Sequence, residues 1–293
     1  MTKNLKDKNL ADFIVNDLVP AMRIWPIVVR QRDTLQFNGS EIRIDESILE
    51  SISTIRELSV GPANPLVLLY LGAYIQGKLS QTEILSRLNM IENYLVRQIL
   101  SNEPLSPLRS KIMDVCGFIS ENLDEITLKK ALLDNSWIDN QKIKINFTER
   151  NLYESAGPTA LGAIFRGIEI QLSGSGANKF KVAKRHYTIE HIYPKKNDKW
   201  KTDIKKWQTS EFKMKPYIHT LGNLTVVTQK HNSTVGNKKL SEKQNFPLVQ
   251  GNSAPLRIHN DWEHSNQWTQ VEIKKRSLKL LDKIFERWPD ISK

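Results

Sequence analysis

The stretch Thr188-Ile189-Glu190-His191-Ile192-Tyr193-Pro194 sets a carboxylate directly beside an imidazole. A neutral imidazole is the natural proton acceptor near neutral pH, its reference pKa being about 6.5. A second stretch, Leu221-Gly222-Asn223-Leu224-Thr225-Val226-Val227-Thr228-Gln229-Lys230-His231-Asn232, carries two asparagines nine positions apart. A carboxylate and an amide oxygen are hard ligands, better suited to Mg²⁺ with several retained waters than to zinc. Adjacent side chains on a strand point to opposite faces. Glu190 and His191 therefore share one site only if the strand end twists or bulges, and Pro194 helps to end the strand there.

The elements that must position these residues are legible in part. Short β-rich pieces are expected at Tyr187–Ile192, Tyr217–Leu221 and Leu224–Thr228, with Gly222-Asn223 as a tight hairpin turn. The last strand leads into a short helix that Thr228 can cap, with Asn232 in its first turns. A final helix starts at Thr269-Gln270-Val271-Glu272, which has capping-box spacing, and runs to about Trp288, ahead of Pro289.

The first 176 residues read as helical. Ser80-Gln81-Thr82-Glu83 is another capping box. Behind it Ile84, Leu88, Ile91, Leu95 and Ile99 recur at spacings of three and four, one face of an amphipathic helix. Ser106-Pro107 opens a further helix, with Ile112, Val115, Ile119 and Leu123 as its stripe. Other helices are expected near 10–32, 45–58, 65–77, 127–134 and 155–172, and only Lys142–Phe147 hints at strand. Ser173-Gly174-Ser175-Gly176 reads as a linker. The expected domains are thus 1–176, helical, and 177–293, basic and α+β.

Charge marks the same division. Residues 177–293 hold 24 Lys+Arg against 11 Asp+Glu, and residues 1–176 hold 19 against 21. All six histidines lie in the basic part, which suggests that a polyanion is handled there. The longest apolar run, Leu66–Leu71, is too short to cross a bilayer, which takes about 20 residues. The single cysteine, Cys116, excludes an internal disulfide and a Cys-rich zinc site, and fits a reducing cytoplasm. No phosphate-binding G-x-x-x-x-G-K-[ST] loop is present.

Ile189-Glu190-His191-Ile192-x-Pro194, Leu221-Gly222-Asn223-Leu224-Thr225, Asn232, Asn237 and Lys243 together resemble the nuclease domain that closes GmrSD-like type IV restriction proteins. Trp268-Thr269, Ile273, Arg276, Leu280 and Trp288-Pro289 extend the resemblance. It implies a ββα-metal, or His-Me finger, fold of the HNH type, with a C-terminal helix packing back on it. It also implies Mg²⁺-dependent cleavage or nicking of DNA in anti-phage defence, the modification state of phage DNA deciding what is attacked. Carried over residue by residue, His191 is the general base, Glu190 and Asn232 are the metal ligands, and Asn223 holds the loop and the His191 ring. Asn237 and Lys243 become phosphate contacts. The family's usual N-terminal nucleotide-hydrolysing domain has no counterpart here and is expected as a separate subunit or a missing part. The chain departs from many relatives at Lys195, where Gln is expected.

Around this site, Lys195, Lys196, Lys199, Lys201, Lys205 and Lys206, interleaved with Trp200 and Trp207, suggest a DNA-binding loop. Lys275, Lys279 and Lys283 recur at i+4 on the last helix. Like charges so spaced repel unless an anion relieves them, so they form either a phosphate-tracking ridge or a solvated face. His219 reads as structural. Two rivals share these features: a non-catalytic nucleic-acid-binding module on the same fold, and a nuclease acting on RNA.

Overall fold

The computed structural model describes residues 18–29, 32–58, 61–101, 103, 107–120, 122–174, 187–245 and 256–292. It is mainly helical, with two separate two-stranded antiparallel sheets among the described residues. The chain divides into two compact units. One comprises Met1–Gln98, Glu103–Ile138 and Ile291–Lys293; the other comprises Ile99–Asn102 and Asp139–Asp290. The second unit therefore begins well ahead of residue 177. The Ser-Gly linker does not divide the units, and its residues 175–176 lie outside the described residues.

In the first unit, α1 (Val19–Val28), α2 (Glu46–Glu57), α3 (Asn64–Ile75), α4 (Gln81–Leu100), α5 (Leu108–Ile119) and α6 (Glu125–Asp134) stand where helices were expected; residues 10–17 of the first expected helix and Ser106 lie outside the described residues, and α5 ends short of Leu123. The Ser80 box forms as read: Ser80 N–H donates to Glu83 Oε2 at 2.8 Å, and Glu83 N–H returns to Ser80 Oγ at 3.3 Å. The stripe behind it is buried at Ile84, Leu88, Ile91, Leu95 and Ile99. Each such side chain contributes about 1.5–3 kcal/mol by leaving water. The hairpin of β1 (Thr34–Phe37) and β2 (Ser40–Arg43) was not expected. Its signal was present in Asn38-Gly39, whose φ values of 50° and 80° suit a primed turn.

The second unit begins with α7 (Asn140–Lys144), where the sequence hinted at strand; Asp139 caps it by accepting from Lys142 N–H at 2.7 Å. Next comes α8 (Leu152–Ser173), broken at Gly157 (φ 77°) ahead of Pro158. Strands β3 (Tyr187–His191) and β4 (Leu224–Thr228) pair with each other, Glu190 opposite Thr225 and His191 opposite Leu224. Between them lie α9 (Lys201–Lys206), α10 (Glu211–Met214) and short 3₁₀ turns. Tyr217–Leu221 is thus no strand, and Gly222-Asn223 belongs to a 3₁₀ turn rather than to a hairpin. After β4 the chain enters α11 (Gln229–Val235) directly, with Thr228 Oγ1 accepting from His231 N–H at 3.1 Å as expected. Then follow α12 (Leu240–Gln244), α13 (Asn260–Glu263) and α14 (Gln270–Arg287), the last with the expected Thr269–Glu272 capping box.

Close packing ties these elements together. A Cβ on Gly222 would sit 2.1 Å from Ile273 O and 2.4 Å from Ser277 Oγ, so only glycine lets the turn before β4 meet α14. Arg276, fully buried on α14, donates to Gly222 O at 2.8 Å, Leu224 O at 2.6 Å and Ile258 O at 2.9 Å. Gly167 plays the same part for α8: a Cβ there would lie 2.2 Å from the Trp288 ring. Ile192, Tyr193, Trp200, Met214, Val227, Trp262, Trp268 and Ile273 form the apolar core beside the strand pair.

Candidate active site

Glu190 and His191 end β3, and the loop that follows is pinned by Asn223. The Asn223 side chain is fully buried and makes four hydrogen bonds. Its Oδ1 accepts from Tyr193 N–H at 2.8 Å and from Trp268 Nε1 at 3.0 Å. Its Nδ2 donates to Tyr193 O at 2.9 Å and Ile218 O at 2.8 Å. That is a full complement for an amide. Asn223 therefore holds the loop, as the resemblance implied, but the His191 ring is held by other residues.

The ring has other hydrogen-bond and ring partners than Glu190 has. His191 Nε2 is 3.1 Å from His219 Nδ1, and the Tyr153 ring stands 4.5 Å from the imidazole, centroid to centroid. Tyr153 N–H donates to His219 O at 3.2 Å, which fixes the His219 turn to the start of α8. Lys195 Nζ sits 4.6 Å above the Tyr153 ring, and His219 Nε2 faces Glu154 Oε1 at 3.8 Å. Burial, with His219, Lys195 and Lys243 nearby, pushes the His191 pKa down to about 3. Its imidazole is neutral throughout the physiological range. His219 is lowered too, first by burial and then by Lys195, with Glu154 opposing.

Glu190 meets different surroundings. Lys243 Nζ is 2.5 Å from Glu190 Oε1 and donates to His191 O at 2.7 Å. Burial raises the Glu190 carboxyl above the usual range and lowers the Lys243 ammonium, and their contact opposes both shifts. This corrects one expectation: Lys243 has no exposed surface, so it is a buried counter-charge and not a phosphate contact. Asn232, half-buried on α11, takes part in no side-chain hydrogen bond among the described residues. The helix that carries it, α11, packs on both β3 and β4.

The donor chemistry available to a metal is thus oxygen: the Glu190 carboxylate and the Asn232 amide. The Thr225 hydroxyl, opposite Glu190 on the sheet, is buried with no hydrogen-bond partner. Among the described residues no three His, Cys, Asp or Glu side chains gather as a closed metal cage. Few oxygen ligands completed by water and substrate are what Mg²⁺ takes, so the residues fit that ion rather than zinc.

Lys195, Lys196 and Lys199 are exposed, as is Asn237 after α11. The interleaved aromatics are not a stacking platform: Trp200 is fully buried, its Nε1 donating to Lys238 O at 2.9 Å, and Trp207 packs against it. On α14, Lys275 is exposed, but Lys279 pairs with Asp261 and Lys283 with Glu286 at 2.7 Å. The anions that relieve this ridge are the protein's own. His259 is structural, contacting Val226 O at 2.6 Å.

A family model matches residues 137–283, half of the chain: GmrSD restriction endonucleases, C-terminal domain. The chain belongs to that family. The match opens two residues before Asp139, where the second compact unit starts, and it includes Tyr153, Glu154 and every proposed site residue. No curated protein and no solved structure matches the chain. Membership supports a GmrSD-like type IV restriction protein with an endonuclease role, and DNA is the substrate that the family implies. No helix among the described residues is long and apolar enough to cross a membrane.

Sequence reasoning missed Tyr153 and Glu154 and took His219 as structural. Asn151 three positions before Glu154 is a readable helix start, and Asn151 Oδ1 does accept from Glu154 N–H at 3.2 Å. No local signal says that this helix start meets a histidine nearly forty positions later in the chain.

Proposed function

We propose that the chain is an HNH-type nuclease on a ββα-metal (His-Me finger) fold. It hydrolyses or nicks DNA as the effector of a modification-linked anti-phage system. The observation that carries this reading is the strand–strand–helix order itself. Glu190 and His191 end β3, β4 pairs with that end, and α11, the helix that carries Asn232, packs on both strands.

In this reading His191 accepts the proton of the attacking water. Its neutral ring has a lone pair to offer. Burial is what chiefly holds the ring's basicity down; a phosphodiester arriving beside Lys195 counters only the smaller part that the lysine contributes. Asn232 and Glu190, the latter sharing its carboxylate with the Lys243 ammonium, would hold Mg²⁺. When bound, the ion supplies the positive charge that offsets what builds on the phosphate. Lys195, Lys196, Lys199, Asn237 and Lys275 bind the phosphate backbone, which supplies affinity without reading sequence. Asn223 keeps the loop after His191 in register with β4. A nucleotide-hydrolysing partner domain or subunit, as in related systems, governs when this site acts.

The test uses supercoiled plasmid, wild type and His191→Ala, with Mg²⁺ or with EDTA. The expected result is conversion to open-circular or linear DNA by wild type with Mg²⁺ only. Structured RNA run alongside separates DNase from RNase activity.

A further inference from the structure

A neutral imidazole has one N–H and one bare ring nitrogen, and the hydrogen bond at one fixes the task of the other. The contact of 3.1 Å between His191 Nε2 and His219 Nδ1 needs a proton on one side only. If His219 Nδ1 carries it, the lone pair of His219 Nε2 is turned toward the Glu154 carboxylate. If His191 Nε2 carries it, His219 accepts at Nδ1, and its own Nε2–H points at Glu154 Oε1, 3.8 Å away. The second arrangement runs every dipole toward the carboxylate and is the favourable one. The other Glu154 oxygen accepts from Asn151 Nδ2 at 2.7 Å, so the carboxylate is itself held in place at the start of α8. Tyr153 packs against both imidazoles, at 4.5 Å and 5.8 Å, and keeps the rings from turning over.

We propose that Glu154 and His219 are positioning residues that hold His191 as its Nε2–H tautomer, so that Nδ1 is the ring atom facing the reaction. The inference rests on the reading of His191 as general base. It adds to that reading two residues from outside the strand–strand–helix core. The His219 side chain is partly exposed, and its replacement costs the fold little.

The test is tautomer assignment by ¹⁵N NMR of histidine-labelled protein at pH 8, without metal or DNA, His191→Ala and His219→Phe identifying the two rings. A protonated ring nitrogen and a bare one resonate far apart. The expected spectrum has both His191 and His219 as Nε2–H; His191 or His219 found as Nδ1–H overturns the inference. Cleavage by the variants is the second readout. His219→Phe lowers kcat about 10- to 100-fold with KM little changed, the size usual for a residue that orients a catalytic histidine. His219→Asn, whose Oδ1 can accept where Nδ1 did, recovers most of that loss; equal kcat for all three proteins overturns the inference. If wild type cuts nothing while the spectrum is as expected, the nuclease reading fails and the tautomer assignment stands.

Discussion

Glu190 and His191 are neighbours in sequence, yet their side chains meet opposite surroundings. Glu190 is bonded to Lys243, a buried carboxylate with a buried ammonium. His191 meets a second imidazole and a tyrosine ring, over which the exposed Lys195 sits. Lys243 joins the two residues, since its ammonium also holds the His191 carbonyl. The lesson is that charge at this site serves two tasks. Inside, it fixes the strand end; outside, it stays available to an anion. A lysine's place in a motif does not tell which task it has, and its burial does.

The sharpest way to break this comparison is Lys243→Met, which leaves the Glu190 carboxylate buried without its partner. It is expected to cost about 3–5 kcal/mol of stability, read by urea unfolding. A phosphate-binding lysine would instead leave stability unchanged and lower the salt dependence of DNA binding.

The two asparagines sharpen the same contrast. Asn223→Ala strands two buried donors and two buried carbonyls and is expected to cost about 3 kcal/mol. Asn232→Ala removes no hydrogen bond among the described residues. It is expected to leave the unfolding midpoint in place while cleavage falls about 100-fold. An Asn232 variant that unfolds early would place that residue with the structural set.

Acid should weaken the second unit. His259 and His191 are held down to about 4 and about 3, mainly by burial. The unfolded chain takes up these protons near pH 6.5, while the native chain refuses the His259 proton until about pH 4. Stability is therefore full above pH 6.5 and declines as pH falls toward 4, His259 alone accounting for about 3 kcal/mol. Urea unfolding at pH 7.5 and pH 4.5 measures the decline, and His259→Gln should reduce it.

The smallest effect is expected at Lys279. Asp261 already meets its charge, so Lys279→Ala should change DNA affinity less than about twofold. Lys195→Ala should lower the slope of log affinity against log salt by about 0.9. Equal slopes for the two variants would restore the phosphate-tracking ridge.

What was legible in the sequence was local. Capping boxes at Ser80 and Thr269, the Thr228 cap and the stripe from Ile84 to Ile99 depend on residues a few positions apart, and each formed as read; the Ile112 stripe formed as far as Ile119, where its helix ends short of Leu123. The β3 and β4 strands and the helix behind them were likewise carried by short motifs. What the sequence did not yield was long-range. The start of the second unit near Asp139 has no Gly or Ser run to mark it. The meeting of Tyr153 with His191 crosses nearly forty positions and that of Glu154 with His219 more than sixty, and the burial of Lys243 depends on packing by α12. The β1–β2 hairpin was a readable signal overlooked, because each strand is only four residues long.

The most direct test of the account is the single-turnover rate of plasmid relaxation by wild type and His191→Ala, at protein concentrations where both bind the DNA fully. General-base catalysis is worth about 10²–10⁴-fold. The account therefore predicts that His191→Ala binds as wild type does and cuts at least about 100-fold more slowly. Equal rates would remove His191 from the chemistry, and tight binding with no cleavage by wild type, with Mg²⁺ and the nucleotide-hydrolysing partner supplied, would make the chain a DNA-binding module.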